Sequence, residues 1–310
     1  MYYCAMITRD YCEFTDFSLV SFFKHNNVIL NLFVIDNNYN KVVDYYKDKH
    51  FYSKLNIIDI YDEQIDTEIK NFKHNNVVFS TDVAHKTLWM FKILDYINED
   101  EIMRIDLDVL YFNSLDQFSK YKSAMNGVRE SEDEFNMIKS YDPDSHPSKV
   151  QINVGICKFI KSKFNIESFY ESMKMKLNND AIHYLIPEQD ILNELTDDKS
   201  IFSDMTIITN YCNIKNIDYH KEVLAFHFNG TYTKPWNYTE INKIYFSNYI
   251  YVCGVELMKF FNRFVEFRNK EIRINSAFTI KRYLSPTNID ETMMKSLTEH
   301  LKREIEYEYS

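Results

Sequence analysis

Short apolar runs alternate with amphipathic or polar stretches from the first residues of the chain. Tyr2–Thr8 is rich in strand formers, and Phe17–Phe23 carries apolar positions at helical spacing before Lys24-His25-Asn26-Asn27. Val28–Ile35 is a second strand, closed by the turn and helix-cap signal Asp36-Asn37-Asn38. A polar helix, Lys41–His50, leads to a third strand at Leu55–Ile60. This order builds a parallel sheet joined by crossover helices. Asp82–Tyr96 predicts a longer helix, with Val83, Leu88, Phe91, Ile93 and Leu94 as its apolar positions. It runs into an apolar strand that climbs to Asp106, and Val109–Phe112 forms another short run beyond it.

The pattern persists downstream. Ser114–Phe118 reads as a single helical turn, Ser123–Val128 as a strand, and the charged, proline-containing Arg129–Lys149 as a loop long enough to cover a site. Val154–Ile160 is strand-like and Ile166–Leu177 helical. Pro187–Leu195 opens with proline in its first turn and an acid, Glu188, behind it. Leu224–Phe228 is a short strand that reaches His227, followed by a loop with Gly230, Pro235 and Trp236. From about Tyr238 the pattern turns helical, through Val255–Phe267 and again from Ile289 onward. The expectation is an α/β unit over residues 1–237 and a helical extension over 238–310.

Composition narrows the class. The 310 residues suffice for a large core, and 45% hydrophobic with 26% charged residues is ordinary for a globular protein. With 36 basic against 46 acidic residues the net charge is -10, which argues against a general nucleic-acid surface. The 5 cysteines contain no Cys-x-x-Cys pair, so neither a zinc knuckle nor a disulfide framework is indicated, and free thiols in a reducing compartment are expected. MYYCAMITRD lacks the basic start and long apolar core of a signal peptide, and no run nears the roughly 18 apolar residues of a membrane span. The expected location is cytoplasmic.

The candidate chemistry centres on Ile102–Phe118. An apolar strand delivers Asp106 and Asp108, two residues apart, so strand periodicity points both carboxylates to one side. Carboxylates that close repel, and a hard divalent cation makes the pair tolerable. Asp142-Pro143-Asp144 has the same spacing in a polar stretch without a preceding strand, so spacing alone carries little. His227 also ends an apolar strand and offers a neutral imidazole as third ligand for a cation such as Mn²⁺. Gly230 lets the backbone approach a phosphate, and Lys234 brings positive charge to a diphosphate.

These segments, in this order, resemble the retaining glycosyltransferases of family 8, which include glycogenin and bacterial lipopolysaccharide galactosyltransferases. The resemblance covers roughly residues 1 to 236. Ile105-Asp106-Leu107-Asp108-Val109-Leu110 is similar to the family's metal-binding Asp-x-Asp strand, with Ser114-Leu115-Asp116-Gln117-Phe118 as its sequel. His227-Phe228-Asn229-Gly230 with Lys234-Pro235-Trp236 is similar to the C-terminal metal and diphosphate motif. Asn153-Val154-Gly155 resembles the strand whose Asn contacts the donor sugar, and Glu188-Gln189-Asp190-Ile191-Leu192-Asn193 resembles the family's Asp-Gln-Asp helix. Thr8, Arg9, Asp10 and Tyr11 stand where the first strand meets the nucleotide base, and Lys86 where a basic residue reaches the donor. Two features depart from the pattern. Three residues, Thr231–Thr233, separate Gly230 from Lys234 where the family has two, and Glu188 stands where Asp is commoner.

The resemblance implies a GT-A type nucleotide-sugar-binding fold, a Rossmann-like mixed sheet flanked by helices. It implies transfer of a hexose or related sugar from a UDP-sugar to an acceptor hydroxyl with retention. Mn²⁺ or Mg²⁺ would sit on Asp106, Asp108 and His227. Leu107 would lie at the donor with the other donor-binding residues, and Gln189, Glu188 and Asp190 at the reacting face. The acceptor, whether glycan, lipid or protein, leaves no mark in the sequence. Val255–Phe267 suits packing on the catalytic unit, a homodimer interface or a peripheral membrane contact. A sugar nucleotidyltransferase shares the sheet and paired acids, but wants an N-terminal glycine-rich phosphate loop, and no glycine precedes Gly127. An inactive nucleotide-sugar-binding protein is the other alternative, and the intact Asp106, Asp108 and His227 weigh against it.

Overall fold

The computed structural model describes residues 1–72, 81–129, 151–178, 184, 186–202, 205–209 and 222–228. Chain contacts divide the protein into one unit of 1–212 with 216–231 and another of 213–215 with 232–310. The described residues all belong to the first. The expected boundary at 237/238, the helical extension, Gly230, Lys234 and nearly all of the Arg129–Lys149 stretch lie outside them.

Seven strands form the main sheet in the order β3-β2-β1-β4-β7-β6-β8. Its parallel half comprises β1 (Tyr2–Ile7), β2 (Leu30–Val34), β3 (Leu55–Asp59) and β4 (Glu101–Ile105), as the early alternation predicts. The antiparallel β7 (Ile152–Ile160) then pairs with both β4 and β6 (Met125–Arg129), and the edge strand β8 (Lys199–Ile201) runs parallel to β6. A second sheet of three strands has the order β5-β10-β9, from β5 (Val109–Tyr111), β9 (Met205–Thr209) and β10 (Glu222–His227).

Alternation along each strand sorts the core into two layers. On one face Tyr3, Ala5, Ile7, Met103 and Ile105 meet Leu19 and Phe22 of α1 (Asp16–His25) and Val42 and Tyr46 of α2 (Tyr39–Tyr46). On the other, Cys4, Phe33, Ile102 and Cys157 meet α3 (Glu63–Asn71), α4 (Thr81–Tyr96), α5 (Phe169–Leu177) and α6 (Pro187–Glu194). Cys4, Cys12 and Cys157 are free buried thiols. Among the described residues no helix is long and apolar enough to cross a membrane.

The structure adds elements that the hydrophobic pattern did not announce. α3 buries only Ile69 and is started by Asp62, whose carboxylate accepts from the Gln64 and Ile65 amides. β8 spans three half-buried residues, too few to show an alternation. α2 begins at Tyr39 behind Asn38 and ends at Tyr46, short of the predicted His50.

Candidate metal and donor-binding site

β1 leads to β2 on one side and neighbours β4 on the other, so the strand order reverses between β1 and β4. Ligands in open α/β sheets bind at the carboxyl ends of the strands flanking such a reversal. Residues 8–11 leave β1 at this crevice as a 3-10 turn over Arg9–Phe14, and Asp106–Asp108 leave β4 beside them.

The route that joins the two aspartates differs from the sequence expectation. β4 stops at Ile105, so Asp106 and Asp108 are not alternate residues of one strand. They occupy the bend that carries the chain from the large sheet into β5 of the small one. The Asp106 amide donates to the Gly155 carbonyl at 2.6 Å, the Tyr111 hydroxyl donates to the Asp106 carbonyl at 3.1 Å, and the buried Leu107 side chain joins the α1-side core. With Leu107 turned inward, the carboxylates on either side converge on the opposite surface of the bend.

β10 brings the third group. His227 pairs with Val109 in the antiparallel β5–β10 ladder, and the Phe228 amide donates to the Asp108 carbonyl at 2.9 Å. His227 Nε2 thereby lies 3.3 Å from Asp108 Oδ1 and 3.5 Å from Asp106 Oδ2. Ligand atoms from the three residues fall within 4.8 Å of one another. Neighbouring ligands of an octahedral cation with bonds near 2.1 Å sit about 3 Å apart, and two carboxylates with one imidazole suit Mn²⁺ or Mg²⁺. The residues fit such a cation.

Gly155 forms the floor. A Cβ there would stand 2.5 Å from His227 Cε1 and 2.9 Å from Asp106 Oδ2, so only glycine admits the imidazole and carboxylate together. Tyr11 lies close enough that burial, with the charges of Asp108 and Asp106, pushes its phenol well above the usual range. It remains a neutral hydrogen-bonding group beside the carboxylates.

Arg104 was not singled out in the sequence, although a lone charge inside Ile102-Met103-Arg104-Ile105 was the available signal. Its side chain is 1% exposed. Nη2 lies 2.9 Å from Asp106 Oδ1 and 2.8 Å from Glu188 Oε1, while Nη1 donates to the Val154 carbonyl. Glu188, on α6, is therefore tied to the aspartates through one guanidinium. Burial pushes its carboxyl up to about 8, against the pull of Arg104 and with the push of Asp106 and Asp108. A bound cation would offset that repulsion.

The rest of α6 grips the end of β7 that extends past β4. Asn193 accepts from the Ile152 amide at 2.9 Å and donates to the Ile152 carbonyl at 3.0 Å, replacing a neighbouring strand. Gln189 accepts from the Val154 amide at 3.3 Å, and Asp190 accepts from Gln151 at 3.0 Å and from the Ile186 amide at 2.9 Å. Asn153 accepts from the Gly155 amide at 3.0 Å. Arg9 lies with its guanidinium 5.5 Å from the Tyr45 ring centre, its amide bonded to Asp36 at 2.8 Å, and Asp10 is exposed. Lys86 is engaged 2.7 Å from Asp82 on its own helix. The structure thus joins Asp106, Asp108, His227, Glu188 and Tyr11 in one neighbourhood, docks Gln189 and Asn153 along its β7 wall, and among the described contacts leaves Lys86 on a helix surface.

Comparison with known proteins places this architecture. No protein-family model matches the chain. Crystal structures of the galactosyltransferase LgtC superpose on it. The complex with donor and acceptor sugar analogues gives a TM-score of 0.58 at 15% identity over 76% of this chain and 89% of that one. An active-site Gln-to-Glu variant of LgtC gives 0.60 at 13% identity over 80% and 94%. The apo bifunctional glycosyltransferase WbbM gives 0.53 at 14% identity over 80% of this chain and 49% of that one. The fold is the GT-A type, a mixed seven-stranded sheet between helical layers. In sequence, a bifunctional protein GlmU of Methanocaldococcus jannaschii is 32% identical over 110 residues, 31% of this chain and 26% of that protein. The match thus spans about a quarter of that relative.

Proposed function

We propose that this chain is a metal-dependent retaining glycosyltransferase that moves a hexose or related sugar from a UDP-sugar to an acceptor hydroxyl. The observation that carries the reading is the convergence of Asp106, Asp108 and His227 at the strand-order reversal of a GT-A fold. Asp106 Oδ2, Asp108 Oδ1 and His227 Nε2 would hold Mn²⁺ or Mg²⁺. When bound, the cation supplies positive charge to the diphosphate leaving group.

The chain's own groups do the rest. Residues 8–11 border the crevice where the base would lie, with Tyr11 a neutral donor next to the aspartates. Glu188 and Gln189, on a helix bonded to β7, would face the donor sugar, with Asn153 on the same wall. Gly230 and Lys234 are proposed for the diphosphate side on sequence grounds. The GT-A neighbours, the cation-fitting geometry and the order of the motifs support this assignment together.

The test is UDP release from a panel of UDP-sugars, with Mn²⁺ and with EDTA, for the wild type and Asp108→Ala. One donor should turn over with Mn²⁺, and turnover should fall at least about a hundredfold in the variant or with EDTA. A correctly folded wild type that releases UDP equally well in EDTA would exclude the metal-dependent mechanism.

A further inference from the structure

Arg104 sits between the proposed cation site and α6, and its geometry carries a consequence for which cation is held. A guanidinium that is 1% exposed needs charged partners to offset its lost hydration. Here two carboxyl groups, of Asp106 and Glu188, share one nitrogen, Nη2, while Nη1 is fixed on the Val154 carbonyl of β7. Arg104 cannot turn towards one carboxylate without losing the other or the backbone anchor.

The contacts also divide the oxygens of Asp106. Oδ1 lies 2.9 Å from Arg104, while Oδ2 lies 3.5 Å from His227 Nε2. Asp106 therefore offers one oxygen to the cluster and commits the other to the guanidinium. Glu188 Oε1 is ion-paired 2.8 Å from the same nitrogen and does not belong to the set of ligand atoms that fall within 4.8 Å of one another. Ca²⁺ accepts bidentate carboxylates and six to eight ligands at longer bonds, whereas Mg²⁺ and similar small cations require compact octahedral sites.

We propose that Arg104 is a positioning residue that presents Asp106 to the cation through Oδ2 alone and keeps Glu188 out of the coordination shell, favouring small octahedral cations over Ca²⁺. The inference rests on the cation site of the proposed function. Without Arg104, Asp106 Oδ1 loses the guanidinium that engages it and can turn to the cation, and Glu188 loses the charge that draws it from the cluster. A ligand set enlarged in that way suits a larger ion.

The test is direct binding to the full chain in the presence of UDP, with Mn²⁺ followed by electron paramagnetic resonance and Ca²⁺ as competitor. Arg104→Met removes the charge at similar length. Arg104→Lys keeps the charge but lacks the fork, and serves if the methionine variant does not melt cooperatively. The Mn²⁺-over-Ca²⁺ affinity ratio should fall about tenfold or more in either variant. Glu188→Gln, with Arg104 intact, should keep the preference. Folded Arg104 variants that keep the wild-type preference, even with weaker binding of both ions, overturn the proposal and leave the cation site standing. A wild type that binds no Mn²⁺ with UDP present overturns the site itself.

Discussion

Gly155 is the smallest residue at the site and the one with least room to change. Gly155→Ala would drive a methyl group to 2.5 Å from the His227 ring and 2.9 Å from Asp106. The Asp106 carboxylate is tied to Arg104 through its other oxygen and the His227 ring lies against both aspartates, so relieving the clash disturbs the ligand set. The variant should lose about 1–3 kcal/mol in chemical denaturation and most of its Mn²⁺ binding. Retained wild-type Mn²⁺ affinity would show that the imidazole and carboxylate can separate without harm. At this scale the sequence singled out Asp106, Asp108 and His227 as candidate ligands because they stand at the ends of apolar strands. It did not identify Arg104, since only the packing of α6 on β4 and β7 reveals that its charge has partners.

α6 is an element whose polar residues act as a unit. Asn193 satisfies both backbone groups of Ile152, and Asp190 and Gln189 bond residues 186, 151 and 154. The motif Glu188–Asn193 was legible as a helix start with acids near its N-terminus, but not as a substitute strand for the buried end of β7 that β4 does not reach. Asn193→Leu would strand the Ile152 amide and carbonyl in a buried place, at about 1–3 kcal/mol for each group left unpaired. Urea denaturation should show that loss. If Glu188 and Gln189 face the donor, UDP release should fall with it; undiminished turnover in the destabilised variant would separate α6 from the chemistry.

Across the molecule, the far end of β4 carries a different charge arrangement. Lys158 is fully buried and lies 3.0 Å from Glu101, which also takes a hydrogen bond from Lys122 at 2.6 Å. Those hydrogen bonds hold the Glu101 carboxyl down at about 2, below its ordinary 4.5. A depressed carboxyl contributes its full stability above its ordinary value and loses it as pH falls towards the folded one. Stability should therefore drop between about pH 4.5 and pH 2 in part through this group. Glu101→Gln should flatten that part of the profile and cost about 1–3 kcal/mol at neutral pH, where Lys158 loses its charged partner. Lys158 also donates to the Tyr121 carbonyl at 3.0 Å, and an unchanged acid profile in urea titrations would show that this bond alone serves it.

The sequence by itself determined the alternation of strands and helices, the parallel half of the sheet, and the residue types that a cation would need. Those features are local: periodicity, caps and apolar runs act within a few residues. Tertiary structure decided where the local signals meet. The end of β4 at Ile105 turned an expected strand alternation into a bend, and the small sheet carried His227 to that bend from 119 residues beyond Asp108. The close approach at Gly155 and the sharing of Arg104 by Asp106 and Glu188 depend on contacts between distant segments. No window of sequence contains both partners of such a contact, so only the folded chain could reveal them.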